Sequence, residues 1–292
     1  MTGKERRQIN PNKGLIKLLE RNVDRVVSRF LYPHLSPIWT PYSWLLEKRL
    51  TLAETTVSPP AWPADLDPLR VLLVSDIHTG IFLKPEVLSK IIESLMQLAP
   101  DLVAVCGDIV TGHSSEVDGF LDALAPLSHA RRGAWYCFGN HDYFGGDPED
   151  IRKNLDAIGI RTLKNESVVV THGNGTFVLG GIDDLIFGKP DWGRLTSNNQ
   201  TPHLLLAHNP DHFYDAVGWG VPLILSGHTH GGQIRFPHGP PIIRQSRFCL
   251  DEGAYAFNNS LLVVSRGLGS VMLPWRWGAD PEAMLIEIIP PR

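Results

Sequence analysis

Five short stretches concentrate side chains that bind cations: Asp76-Ile77-His78, Gly107-Asp108, Gly139-Asn140-His141-Asp142, His208-Asn209 and Gly227-His228-Thr229-His230. Each follows an apolar run, respectively "RVLLVS", "DLVAVC", "GAWYCF", "HLLLA" and "PLILS". Carboxylate oxygens and neutral imidazoles are good ligands for divalent transition ions, and the lack of thiolates argues against a structural zinc knuckle. Donors suffice for two cations. A bridging carboxylate would hold a pair about 3.5–4 Å apart, as in two-metal hydrolytic sites, and leave a positive well for an anionic phosphate. Glycines beside the ligands let backbone approach metal and substrate without a Cβ in the way. His34, His129, His172, His203, His212 and His238 fall outside this pattern and are read as ordinary structural residues. His113, on the loop behind Asp108, is a candidate substrate-binding residue.

For such residues to meet, the chain must bring five strand ends to one place. In an open α/β sheet the carboxyl ends of the strands line a common crevice. From Arg70 onward short apolar runs alternate with helical segments: "PEVLSKIIESLMQLA", a stretch around Val117 to Leu127, and "DPEDIRKNLDAIG". That alternation predicts a parallel core sheet. After Arg161 the helices thin out, and "SVVVT", "TFVLGGID", "HLLLAHN", "PLILSGH", "LLVVSRG" and "AMLIEII" are all strand-like. Two packed sheets flanked by helices are expected rather than one doubly wound sheet.

The chain's 292 residues suffice for one large α/β domain with an appendage. No run of about 18 apolar residues marks a transmembrane helix, and the charged N-terminus lacks a secretory signal pattern. Cys106, Cys137 and Cys249 cannot pair completely, so reduced thiols in a cytoplasmic protein are expected. Residues 1–30 carry eight Lys and Arg against three acids, whereas the remainder holds 19 against 28. A basic head on an acidic body suits an anionic surface and disfavours nucleic acid as a partner. Leu15, Leu19, Val23, Val26, Val27 and Phe30 share one helical face beside a basic one, and "YPHLSPIWTPYSWLL" follows. Residues 13–46 are therefore a candidate membrane-surface segment, peripheral on the inner face of the cytoplasmic membrane. The expected division is 1–57 as this head, 58–69 as a linker, and 70–292 as the catalytic domain.

The order "DIH", "GD", "GNHD", "AH", "GHTH" resembles the calcineurin-like metallophosphoesterase superfamily. "LKNES", "GIDD", "LAHNPD", "SGHTHGGQIRFP", "VSRGLG" and Pro281-Glu282 extend the likeness over most of 70–290. They point to a bacterial phosphodiesterase-like subset, some members of which cleave the pyrophosphate of UDP-2,3-diacylglucosamine. The resemblance implies a four-layer α/β/β/α sandwich and two divalent ions, with Mn, Fe or Zn favoured by the imidazoles. It implies that Asp76, His78 and His230 hold one ion, Asn140, His208 and His228 the other, and Asp108 bridges. The implied reaction is hydrolysis of a phosphodiester or pyrophosphate by a metal-activated water, with His141 as proton donor. The protein serine/threonine phosphatases have "GDxxDRG" where this chain has Thr111 and Gly112, so the partner orienting His141 is open. Arg235, Arg266 and Arg276 are candidates for gripping substrate phosphate. Alternatives are a soluble broad-specificity phosphodiesterase and a non-catalytic, metal-stabilised membrane scaffold.

Overall fold

Runs such as Val71-Leu72-Leu73-Val74 and Leu102-Val103-Ala104-Val105-Cys106 have no polar face, so they are stable only as strands covered on both sides. A computed structural model describes residues 41–196, 200–236 and 239–291. Its strands in chain order are β1 (Thr51–Val57), β2 (Leu69–Val74), β3 (Leu102–Cys106), β4 (Ala134–Cys137), β5 (Ile160–Thr162) and β6 (Glu166–His172), followed by β7 (Gly175–Gly181), β8 (Leu204–Leu206), β9 (Leu223–Ser226), β10 (Gly253–Phe257), β11 (Ser260–Val264) and β12 (Glu282–Ile288). They form two six-stranded sheets, ordered β1-β12-β2-β3-β4-β5 and β10-β11-β9-β8-β7-β6. The run β2 to β5 is parallel throughout, and so are β7, β8, β9 and β11.

Leu73, Leu102, Ala104 and Cys106 of the first sheet meet Leu204, Leu206, Leu223 and Leu225 of the second in one core between the sheets. The outer face of the first sheet is covered by α1 (Pro41–Arg49) and α2 (Pro85–Met96). In α2, Leu88, Ile91, Ile92 and Leu95 repeat at helical spacing and are buried, each contributing about 1.5–3 kcal/mol of burial energy. The outer face of the second sheet packs on Phe213 and Ala216 of Phe213–Gly218. The order helix, sheet, sheet, helix is the expected four-layer sandwich. The stretch around Val117 to Leu127 is mostly 3₁₀, running Ser114–Phe120, Leu121–Leu124 and Ala125–His129, with Pro126 replacing an amide donor near its end.

The boundary expected at Arg70 falls inside the packed body. β1 pairs in parallel with β12 from Thr51↔Glu282 to Val57↔Ile288, and Tyr42, Leu45 and Leu46 of α1 are buried in the core on the outer face of the first sheet. The 58–69 connection is anchored by Trp62 and Leu66, which sit in the core between the sheets. Of the proposed membrane segment 13–46, residues 13–40 lie outside the described residues. Its last turn, 41–46, buries its apolar side chains in the domain, except Trp44, which is exposed.

Candidate metal centre

The loops leaving β2, β3, β4, β8 and β9 converge. Parallel β2, β3 and β4 point their carboxyl ends one way, and β8 and β9 in the facing sheet do the same. Asp76, His78 and His230 present ligand atoms all within 4.8 Å of one another, and so do Asp108, His208 and His228. Nε2 of His78 lies 3.2 Å from Nε2 of His230, and Nδ1 of His228 lies 3.2 Å from Nε2 of His208. The two sets meet at Asp108, whose Oδ2 is 3.1 Å from His208 Nε2 and 3.8 Å from His78 Nε2. Asn140 is buried beside them, and its Oδ1 accepts no hydrogen bond among the described residues. Ring nitrogens turned toward one another, together with an unbonded buried carbonyl oxygen, are costly unless a cation or protons lie between them. The donor set therefore fits two divalent ions.

Backbone strain marks the same residues. Asp76, His78, Asp108, His228 and His230 all have φ between 49° and 73°, a region that few residues other than glycine enter, Asn, Asp and His doing so more often than the rest. The sharp reversals turn side chains at the strand ends inward. Two glycines make room: a Cβ on Gly139 would lie 2.2 Å from Asp108 Oδ1, and one on Gly227 would lie 2.3 Å from Asp76 Oδ2.

Around the cluster, further groups fix its members. The His228 amide donates to both oxygens of Asp76, at 3.0 and 3.1 Å. His208 donates from Nδ1 to the Cys106 carbonyl at 2.8 Å, which leaves Nε2 as the inward nitrogen. Asp142 accepts from the amides of Asp108, Ile109, Val110 and Gly139 and from the Tyr136 hydroxyl, tying the second and third loops together. Its place in "GNHD" was visible in the sequence, but this role was not. His141 donates from Nδ1 to the Thr111 carbonyl at 2.6 Å, so a backbone oxygen supplies the orienting partner that the sequence left open. Thr111 is held in turn by Glu116, whose Oε2 accepts from the Thr111 and Gly112 amides at 2.8 and 2.9 Å. Phe144 stacks at 4.1 Å from the His141 ring, and half-exposed Phe187 continues that aromatic wall toward solvent.

Charge is distributed unevenly. Burial raises the Asp76 carboxyl to about 6. Burial would also raise Asp108, but His208, His141 and His78 outweigh it and hold that carboxyl well below its ordinary value. Burial keeps His78 and His230 well below the usual imidazole range, helped by His141 beside the former and Arg276 beside the latter. Both are thus neutral, the form in which imidazole ligates a metal.

The arginine candidates are placed differently from expectation. Arg276 is fully buried, and its guanidinium donates to the Gly269 carbonyl and, at 2.9 Å, to Nδ1 of His230. It faces the back of a candidate ligand and is closed to substrate. Arg235 and Arg266 share Glu252, and Arg266 also pairs with Glu282 at 3.0 Å, so their charges are already partnered. His113 is exposed and caps the turn at Ser114 by accepting from the Ser115 amide. His172, His203 and His212 make hydrogen bonds to backbone, as expected of structural histidines.

Comparison with known proteins agrees with this geometry. The family model described as calcineurin-like phosphoesterase matches residues 69–232. An uncharacterized metallophosphoesterase of Bacillus subtilis, YkuE, is 30% identical over 268 residues, covering 89% of this chain and 88% of its own. The Escherichia coli phosphodiesterase YaeI is 33% identical over 230 residues, covering 76% of this chain and 83% of its own. Among solved structures, the 5'-nucleotidase precursor of Thermus thermophilus is 13% identical with a TM-score of 0.45, over 76% of this chain and 55% of that one. From the family match, the two relatives and the paired ligand sets, the chain is a hydrolase belonging to the calcineurin-like phosphoesterase family.

Proposed function

We propose that the chain hydrolyses a phosphodiester or pyrophosphate bond using two divalent ions, Mn, Fe or Zn, and that its substrate is lipid-linked or a nucleotide sugar at a membrane surface. The observation that carries the reading is Asp108 Oδ2, which faces one histidine of each ligand set. Asp76, His78 and His230 would hold one ion and Asn140, His208 and His228 the other, with Asp108 lying between the two sets. When bound, the ions would activate a water at neutral pH and neutralise charge gathering on the phosphoryl oxygens. His141 gives a proton to the leaving oxygen. Its Nδ1–H is committed to Thr111, so Nε2 is the nitrogen that exchanges. Asp142 keeps Asp108 and His141 in register by gathering the amides of both loops. The relative named as a phosphodiesterase supports a diester rather than a monoester substrate. For the membrane surface, the support is the charge of residues 1–30, eight basic against three acidic. Among the described residues no helix is long and apolar enough to cross a bilayer.

The test is Asp108→Ala, assayed for bound metal by mass spectrometry and for turnover of an aryl phosphodiester and a pyrophosphate. Loss of at least one metal equivalent and a fall of at least about 100-fold in turnover are expected. Full metal content with undiminished turnover would remove the reading.

A further inference from the structure

Trp275, Arg276 and Trp277 point alternately. Arg276 is 0 % exposed and touches His230, whereas the indoles on either side are 44 % and 43 % exposed. The residue that braces a candidate metal ligand thus seats a loop that turns two tryptophans outward. That loop is joined to the one following His230. The Gln233 side chain donates to the Val271 carbonyl at 2.8 Å and accepts from the Val271 amide at 3.0 Å. The Arg235 amide donates to the Trp277 carbonyl at 2.8 Å, and the Phe236 and Trp277 rings lie 5.6 Å apart. Ile242 returns to this ladder through its amide, bonded to the Ile234 carbonyl at 3.3 Å. Together Phe236, Ile242, Ile243, Leu273, Trp275 and Trp277 form a rim that is 43–64 % exposed. Apolar side chains gathered on neighbouring, hydrogen-bonded loops in this way mark a place of contact.

We propose that this rim is a docking surface for an anionic phospholipid bilayer, entered by the two indoles and by Ile242 and Ile243. Three observations select a bilayer. Indole has an apolar body and one N–H, which suits the headgroup zone. The rim is made of loop tips rather than a sheet face or groove, so it can enter a fluid interface without needing a shaped partner. The chain also carries a basic segment, with eight Lys and Arg against three acids in residues 1–30. The basic segment of residues 1–30 joins the body through Pro41, and the Tyr42 hydroxyl donates to the carbonyls of Leu268 and Gly269, on the strand-to-rim connection. Apolar insertion and basic attraction together supply the two signals that stable peripheral anchoring takes. The inference rests on the phosphoester reading only in its consequence, which is to bring the scissile bond to the lipid surface.

The experiment uses the full chain, chelated and metal-loaded, sedimented with vesicles of phosphatidylethanolamine and phosphatidylglycerol or of phosphatidylcholine alone. Capture by the anionic vesicles, with quenching of tryptophan fluorescence by bromolipid, is expected in both metal states. The triple variant Trp275→Ser/Trp277→Ser/Ile243→Ser should lower the partition coefficient at least about tenfold. Its turnover of a soluble aryl phosphodiester should be unchanged, which also reports that it folds. Phe236→Ser/Ile242→Ser, on the other loop, should weaken capture as well, so misfolding of one set cannot decide the matter. No capture of the wild type, or equal capture of all three proteins, would overturn the proposal. So would a change from dimer to monomer in the variants, which would make the rim a contact between copies. Capture without any phosphodiesterase turnover would leave the rim standing and remove the enzyme reading; turnover without capture would do the reverse.

Discussion

His208 and His230 enter the cluster from loops after adjacent strand ends, each turning its outer nitrogen away from the candidate metals, and those nitrogens meet opposite partners. His208 Nδ1 donates to a neutral strand carbonyl, Cys106 O, at 2.8 Å. His230 Nδ1 is met at 2.9 Å by a guanidinium that is fully buried and, among the described residues, has no carboxylate in ion-pair contact. Arginine cannot give up its proton, so that positive charge is permanent. The two ligand sets are alike in residue type and unlike in the field behind them. A cation beside Asp76, His78 and His230 is opposed by Arg276, whereas one beside Asp108, His208 and His228 is not. The two sites should therefore bind with different affinities, the Arg276 side being the weaker.

Removing the arginine should sharpen that difference into a measurement. In Arg276→Gln the amide can still donate to the Gly269 carbonyl, but the charge is gone. Repulsion between charges this close amounts to a few kcal/mol even at an effective dielectric of about 20. The weaker of two Mn²⁺ steps in a calorimetric titration should tighten by at least about tenfold, with the tighter step little changed. Because the variant also loses buried hydrogen bonds, the relevant quantity is the ratio of the two steps. An unchanged ratio would mean that Arg276 only fills space.

Protons offer a second way to probe both sets. Burial raises Asp76 from 3.8 to about 6 in the metal-free fold. An unfolded chain ionises this carboxyl first. Its contribution to stability is therefore present below about pH 4 and lost as the pH rises through about 6. His208 has the same sign: burial would lower it, but Asp108 outweighs burial and holds the ring well above its ordinary value. Metal binding must displace both protons. The gap in melting temperature between metal-loaded and chelated protein should widen by several degrees from about pH 5 to about pH 7. A gap independent of pH would show that neither group carries its proton into the metal-free site.

The same contrast explains what could be read in advance. The residues that converge in the candidate metal centre were legible because each follows a buried strand, and an apolar run ending in Asp, Asn or His is a local pattern. The sandwich followed from counting those runs. β1 and β10 were not legible: they lie at sheet edges and half-expose their side chains, so "TLAETTV" and "GAYAF" lack an apolar stretch. Arg276 was misread because an arginine in a loop after "GHTH" has the same sequence signature whether it faces substrate or the back of His230. The strained φ at Asp76, His78, Asp108, His228 and His230 has only a weak signature: Asp and His enter that region more often than most side chains, but too seldom to mark a position, and flanking glycines add to the trace.

A last contrast separates acceptors that orient a histidine. The carbonyl holding His208 belongs to a strand, while the one holding His141 belongs to a loop, Thr111, fastened mainly by Glu116 through two amides. A loop acceptor can be loosened without unfolding a sheet. Glu116→Gln keeps one acceptor oxygen and should lower kcat about threefold, and Glu116→Ala about tenfold, with KM nearly unchanged. If His141 delivers the proton, both losses should grow as the leaving alcohol becomes poorer, because a misaligned donor matters most when the oxygen most needs protonation. A uniform loss across leaving groups would make Glu116 a support for the loop alone, and unchanged kcat in the alanine variant would show that the Thr111 carbonyl holds its place without it.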